Sequence, residues 1–194
     1  MRKLFSVLLG TLLLCWTLTP AFADDIAYTN GPLNGQHASW SISGSFVVSN
    51  SFTLTTNYGV INRLTGFQFW AWTVHGDHPN TITWSLTSQP NGGIVYASGT
   101  TNLRQQYTFV YTNRLGFDVY RIVTPPAPTI NLGPGNYWLN LRNATTTQGN
   151  SMYWDENDGV HCGSRGCPST AYQNGVSIGS EAFIIFALCP HCIP

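Results

Sequence analysis

The sequence predicts an all-β protein, an antiparallel β-sandwich or jelly roll of about nine or ten strands. Three observations support this prediction. Apolar and polar residues alternate with a period of two along several stretches, as in strands that bury one face. Asn-Gly and Gly-Gly turn signals separate these stretches at a spacing of roughly ten residues. No stretch combines a helix cap with an apolar repeat of helical period, so helices are not expected.

The expected strands follow one another along the chain. Alternation is clearest in residues 38–48, 81–87, 107–112 and 137–142. Residues 67–74 and 182–188 are apolar on both faces, which is typical of strands in the middle of a sheet or under a cover. The three prolines of residues 124–128 predict an edge or a connection. Residues 157–180 are rich in Gly, Ser and Asn and predict a long loop.

The first residues predict export. A basic start, Arg2-Lys3, precedes an almost wholly apolar run over residues 4–18 and an Ala-Phe-Ala sequence of the kind that a signal peptidase cleaves. The apolar run is about 15 residues, shorter than the ~20 of a membrane-spanning helix. We therefore expect a signal peptide over residues 1–23 and a single domain over residues 24–194. The mature protein is expected to be secreted, extracellular or at the cell surface, with no membrane span.

Charge excludes several classes of function. Only 8% of the residues are charged, and eight basic side chains balance eight acidic ones. The only lysine, Lys3, lies in the predicted signal peptide. The mature chain thus has no lysine for Schiff-base or phosphate-loop chemistry. It also has no basic field that would hold a nucleic acid.

Four cysteines follow the predicted signal peptide, namely Cys162, Cys167, Cys189 and Cys192. An even number of cysteines in an exported chain predicts disulfides, and we expect the two local pairs Cys162–Cys167 and Cys189–Cys192. The two pairs are expected to lie about 20 Å apart, at opposite ends of the last strand. The alternatives are a zinc site that uses all four cysteines and a redox role for the Cys-Pro-His-Cys sequence.

Two polar sequences are candidates for metal binding. Asp155, Asn157 and Asp158 form an oxygen-rich sequence after a strand and are weak candidates for a structural calcium site, although the sequence does not match an EF-hand loop. Acidic residues here could instead form a glycosidase pair. The sequence from His75 to His78 places three candidate ligands in a turn. We expect no metal beyond that weak calcium candidate and no other cofactor.

Aromatic residues indicate a ligand-binding surface. Trp138 shares one strand face with Asn140 and Arg142, opposite the predicted core face. An indole ring flanked by amide and guanidinium donors suits a sugar, whose C–H face stacks on the ring while its hydroxyls form hydrogen bonds. Trp70 and Trp72 are expected to extend this surface. The alternative is that a second layer or a loop simply covers these rings.

Several short sequences resemble a group of secreted bacterial proteins that carry a PEP-type C-terminal sorting signal. They are Asn30–Gly35, Gly135–Ala144, Tyr153–Asn157 and Ser180–Phe183. The resemblance implies an extracellular β-sandwich of undefined activity, in bacteria that make extracellular polysaccharide. The last residues, Cys189 to Pro194, contain no Pro-Glu-Pro sorting signal. Anchoring by that route is therefore not expected.

Together these features predict a secreted non-catalytic protein, a carbohydrate-contacting binding or extracellular-matrix module whose partner is an extracellular polysaccharide. A structural surface or filament-forming subunit that self-associates through its sheet edges is the first alternative. A glycan-active hydrolase is the second. No nucleophile, acid pair or metal site has the sequence context that catalysis requires, so we expect no enzymatic activity.

Overall fold

The computed structural model describes residues 25–35, 38–55, 62–124, 130–159 and 169–188. The predicted signal peptide and the four cysteines lie outside these residues, so export and the two disulfides stay predictions. The all-β fold is confirmed. The described strands are β1 (Asp25–Thr29), β2 (Ser39–Ser41), β3 (Val47–Leu54), β4 (Asn62–Val74), β5 (Pro79–Gln89), β6 (Gly92–Asn102), β7 (Tyr107–Thr112), β8 (Phe117–Val123), β9 (Ile130–Leu132), β10 (Gly135–Thr146), β11 (Tyr153–Asp155), β12 (Ala171–Gln173), β13 (Val176–Ile178) and β14 (Phe183–Leu188).

The strands form two antiparallel sheets, as the prediction of a sandwich requires. The six-stranded sheet has the order β13-β12-β3-β10-β5-β6. In the eight-stranded sheet, β4 pairs along one side with β14 and β11 and along the other with β8 and β9. Strands β1, β2 and β7 complete it by pairing with β14, β11 and β8.

The core lies between the sheets and is rich in aromatic rings. Phe183 of β14 and Trp154 of β11 make an edge-to-face contact with centroids 5.7 Å apart, and Phe69 of β4 meets Trp154 in the same way at 6.1 Å. From the six-stranded sheet, Phe52 contacts Phe183 at 6.3 Å. Such contacts add about 0.5–1.5 kcal/mol each to the burial of the rings. The period-two alternation of the sequence identified the core faces of β5 and β10 correctly. Phe46 and Phe109, which the same alternation put on core faces, are 42% and 52% exposed.

More strands are described than the nine or ten predicted, because β2, β9, β11, β12 and β13 have only three residues each. A three-residue strand is too short to show a periodic pattern. Strands β12 and β13 lie inside residues 157–180, so the prediction of one long loop there is wrong for this part. They form a hairpin whose two turn residues, Asn174 and Gly175, both have positive φ, as a type I′ turn requires.

The two outer faces of the sandwich point in opposite directions. On β10 the core side chains are Tyr137, Leu139 and Leu141, so the residues between them lie on the outer face of the six-stranded sheet. On β4 the core side chains include Phe69 and Ala71, so the residues between them lie on the outer face of the eight-stranded sheet. A ligand on one of these faces does not reach the other.

Candidate functional site

The outer face of the six-stranded sheet carries an aromatic pair. Trp138 on β10 is half-buried, and its ring lies 5.7 Å from that of Tyr172 on β12, at an interplanar angle of 42°. Residues Trp138 and Tyr172 are diagonal neighbours across β3, since Trp138 pairs with Ser51 and Tyr172 with Ser49. We call Trp138 and Tyr172 the aromatic pair.

Hydroxyl groups surround the aromatic pair. The register places on this same outer face the side chains of Ser49, Ser51, Thr83, Ser85, Thr87, Ser98 and Thr100. Adjacent members form rows across the strands, and the hydroxyl oxygens of Thr83 and Thr100 lie 3.1 Å apart. The face therefore combines two aromatic rings with small hydroxyl side chains, of which Ser49 and Thr87 are buried and the other five are half-buried or exposed.

Arg142 is the only charged residue on the six strands of this sheet. It is exposed, and among the described residues nothing forms an ion pair with its guanidinium group. Arg142 lies four residues from Trp138 along the same face of β10, a distance of about 13 Å at ~3.3 Å per residue. The electrostatic character of this face is thus set by one cation.

Asn140, the third residue predicted for this surface, is 1% exposed. Its amide nitrogen donates to the Thr87 hydroxyl at 2.8 Å and to the Ser85 hydroxyl at 3.1 Å. Its amide oxygen accepts a hydrogen bond from the Asn91 backbone N–H at 2.8 Å. Asn140 therefore fixes the β5–β6 turn against the sheet, and its donors are already used within the protein.

Trp70 and Trp72 do not extend the surface of Trp138, because β4 belongs to the other sheet. Trp72 is buried, and its ring packs against Phe117 with centroids 5.9 Å apart. Trp70 is half-buried and lies opposite Arg121 of β8. The expectation of one continuous surface is wrong for these two residues, because sequence alternation gives the face within a strand but not the sheet to which the strand belongs.

Three segments meet at one end of the eight-stranded sheet. The segment after β11 is extended and lies between residues 30–35 and residue 38 on one side and residues 180–182 on the other. The Asn34 N–H donates to the Glu156 carbonyl at 3.0 Å, and the Ala182 N–H donates to the Asp155 carbonyl at 2.8 Å. Three of the four sequences that carry the family resemblance therefore come together here.

Asp155 is fully buried at this junction and accepts hydrogen bonds from the Gly35 N–H, at 3.2 and 3.0 Å to its two oxygens. Burial raises the pKa of Asp155 to about 8, the Gly35 amide and the nearby Trp72 indole oppose this rise, and Glu156 adds to it. Gly35 has a φ of 62°, and a Cβ there would overlap the Tyr111 hydroxyl. Only glycine therefore fits where the chain crosses over Asp155.

The three weak calcium candidates do not face one point. Because the segment is extended, Asp155 and Asn157 lie on one side of it and Asp158 on the other. The Asn157 amide nitrogen donates to the Ser180 hydroxyl at 2.8 Å, and its oxygen accepts the Gly159 N–H at 2.9 Å. In the described part of the chain, no three His, Cys, Asp or Glu side chains are grouped so as to hold a metal ion.

Two glutamates that the sequence did not pair face each other at this junction. Glu156 and Glu181 form an antiparallel β-bridge. Glu156 is 7% and Glu181 0% exposed, and neither carboxylate oxygen of Glu181 has a hydrogen-bond partner among the described residues. Burial, Asp155 and Glu156 raise the pKa of Glu181 well above its ordinary value. The residues are 25 positions apart, and only the register brings them together.

The candidate ligands between His75 and His78 stabilise the β4–β5 turn instead of converging. The Asp77 carboxylate is buried and accepts hydrogen bonds from Thr147, from the Gln148 N–H and from Asn150, at 2.9–3.0 Å. Burial alone would raise the pKa of Asp77, but these hydrogen bonds hold it well below its ordinary value. The carboxylate therefore joins this turn to the loop after β10.

Comparison with known proteins gives no family for this chain. No protein-family model and no curated protein matches it. The resemblance to sorting-signal proteins thus stays a prediction. In the described residues no helix has the length and apolar character needed to cross a membrane.

Proposed function

We propose that the protein is a secreted, non-catalytic module that binds extracellular polysaccharide on the outer face of its six-stranded sheet. The observation that carries this proposal is the aromatic pair, Trp138 and Tyr172, half-buried in a field of hydroxyl groups. A sugar ring presents apolar C–H groups on its face and hydroxyls around its edge. Rings in the centre of such a field match both parts of the sugar.

The absence of acidic residues from the same face supports a binding role over catalysis. Glycoside hydrolysis by the common mechanisms needs two carboxyl groups roughly 5–9 Å apart beside the scissile bond. The six strands of this sheet carry no Asp or Glu. A sugar that is stacked on the aromatic pair would therefore meet hydroxyls and a guanidinium, but no acid from these strands.

The single cation favours an acidic polysaccharide. Arg142 lies about 13 Å along β10 from Trp138, a span of a few sugar residues. A guanidinium suits the planar carboxylate of a uronic acid, to which it can donate two parallel hydrogen bonds. A polymer that stacks one residue on the aromatic pair would thus place the acidic group of another residue beside Arg142.

Binding to a panel of acidic and neutral polysaccharides, measured by isothermal titration calorimetry, tests the proposal. The variant Trp138→Ala should lower the affinity about ten-fold or more, because a stacking Trp contributes roughly 1–3 kcal/mol. The matched control is Trp70→Ala, which removes another half-buried indole from the opposite outer face. Equal affinities of Trp138→Ala and wild type, or no binding to any polysaccharide, would overturn the proposal.

The edge of the same sheet favours a second candidate, a structural subunit that associates with copies of itself. Strand β6 is an edge strand of 11 residues without a charge or a proline. Its Ile94 and Val95 are 64% and 58% exposed. Natural edge strands usually carry a charged residue or a proline that prevents pairing, and edge strands without one pair with other chains. This candidate would be favoured if the protein assembles as its concentration rises, if Val95→Lys abolishes that assembly, and if no polysaccharide binds.

A further inference from the structure

Glu156 and Glu181 share one side of a short antiparallel ladder. The Ala182 N–H donates to the Asp155 carbonyl at 2.8 Å, and the Asn157 N–H donates to the Ser180 carbonyl at 3.0 Å. These two bonds flank the bridge, so Glu156 and Glu181 form a non-hydrogen-bonded pair. In such pairs the Cα atoms are about 4.5 Å apart and the side chains are closest. The two carboxyl groups therefore start from adjacent positions.

If Glu156 and Glu181 were both ionised, no neighbouring group that the structure describes would stabilise the negative charge on Glu181. Like charges directly opposite each other destabilise a ladder, and a buried charge without a partner is costlier still. Glu181 is fully buried, and neither of its carboxylate oxygens meets a hydrogen-bond donor in the described part of the chain. Buried polar groups in native proteins are nearly always satisfied. The two unsatisfied oxygens of Glu181 thus indicate that they interact with a bound species outside the protein.

The backbone around the pair is held in place. The amide nitrogens of Asn30 and Asn157 both donate to the Ser180 hydroxyl, at 3.0 and 2.8 Å. Asn30 also donates to the backbone carbonyl of Glu181, and its own amide oxygen accepts a hydrogen bond from the Tyr28 hydroxyl at 2.8 Å. At Gly179 a Cβ would lie 2.6 Å from a carboxylate oxygen of Glu156, so the missing side chain leaves room for this carboxylate. These hydrogen bonds therefore hold the backbone of Glu156 and Glu181 in place.

We propose that Glu156 and Glu181 bind a divalent cation that prefers oxygen ligands, with calcium as the ion that suits the site best. Two carboxylates would neutralise the ion, and each can hold calcium through both of its oxygens. The described neighbours offer oxygen and no thiol or imidazole, which disfavours zinc and copper. Magnesium retains several of its waters, whereas this site is closed to solvent at Glu181.

This ligand set differs from the calcium candidates in the sequence, which were Asp155, Asn157 and Asp158. An ion here would join residues 155–158 to residues 180–182. It would thereby stabilise the junction at which three distant segments of the chain meet.

The test uses the full secreted protein after dialysis against a chelator. About 5 mM calcium exceeds the ~10⁻³ M upper range of protein calcium dissociation constants, and it should raise the melting temperature by roughly 3–6 °C. Terbium gives a second readout. The Trp154 indole donates to the Ala182 carbonyl at 3.0 Å, beside Glu181, so it lies where it can sensitise terbium emission.

The variant Glu181→Gln keeps the shape of the side chain, removes its charge and should abolish both responses. Asp25→Asn is the matched control, because it removes one carboxylate from the start of β1, and it should respond like wild type. A melting temperature that calcium does not change, together with the absence of sensitised terbium emission, would overturn the proposal. A full response of Glu181→Gln would overturn it as well.

Discussion

The amide oxygen of Asn140 accepts a hydrogen bond from the backbone N–H of Asn91, and this bond ties the tip of the β5–β6 hairpin to the face that carries the aromatic pair. Asn140 is also the donor to Ser85 and Thr87, at 3.1 and 2.8 Å. One buried side chain thus joins two strands and a turn. It shapes the proposed binding face, and its amide donors are already used within the protein.

Replacement of Asn140 should therefore lower stability before it changes binding chemistry. We expect Asn140→Ala to lower the free energy of unfolding by about 2–4 kcal/mol, because it leaves the Asn91 N–H without its partner and creates a cavity. Urea denaturation measures the change. Ser98→Ala on the same face is a control and should change stability by less than about 0.5 kcal/mol. Wild-type stability of Asn140→Ala would contradict the assigned role.

Gly35 provides a test of the crossing over Asp155. Gly35→Ala should lower the free energy of unfolding by more than about 2 kcal/mol, because the new methyl group would overlap the Tyr111 hydroxyl in addition to straining a residue with positive φ. The variant Gly44→Ala separates the steric overlap from the backbone strain. Gly44 has the same φ of 62°, but no atom lies within 4 Å of the position that a Cβ would take there, so only the backbone strain of about 1 kcal/mol remains. Thermal unfolding of both variants should show this difference.

Asp77 should make the protein sensitive to acid. Its pKa is lowered in the folded state, whereas in the unfolded chain it is about 3.9. The stabilisation is therefore complete above pH ~4 and is lost as the pH falls towards the folded-state pKa. We expect Asp77→Asn to lower stability by about 1.5–3 kcal/mol at pH 7, the range of a hydrogen bond to a charged group, and to lose less stability than wild type on acidification.

The free energy of unfolding of wild type and Asp77→Asn, measured between pH 7 and pH 2, tests this prediction. Asp118 also has a pKa that is lowered: burial opposes the shift, while His75 and the Gly76 N–H favour it. The variant Asp77→Asn will therefore keep part of the acid sensitivity. If the acid dependence of Asp77→Asn equalled that of wild type, the carboxylate would not be the stabilising group.

Arg142 provides a test of the preference for acidic polysaccharide. Arg142→Gln should reduce affinity for a uronic-acid polymer by up to about five-fold, the equivalent of ~1 kcal/mol for an exposed ion pair. The loss should shrink as salt is added, because exposed charges are screened. Arg142→Lys keeps the charge and should keep the dependence on salt. Unchanged affinity of Arg142→Gln would remove the acidic preference and leave the stacking on Trp138 untouched.

The sequence alone was sufficient to predict the properties that depend on residues close together along the chain. Side chains alternate along a strand, so the pattern around Trp138 placed it with Asn140 and Arg142 on one face, as the paired register confirms. The same alternation gave the all-β class. Asn174-Gly175 is one of the Asn-Gly turn signals of the sequence, and both residues have the positive φ of a turn.

Only the tertiary structure decided which strands are neighbours, since pairing joins residues that are far apart in the chain. The alternation of β4 put Trp70 and Trp72 on an outer face, but the assignment of β4 to the second sheet turned them away from Trp138. Likewise, no periodicity places Glu181 opposite Glu156, because their approach depends on the register of two separate segments. Local sequence determines the direction of a side chain within its strand, whereas the packing of the whole core determines what that side chain meets.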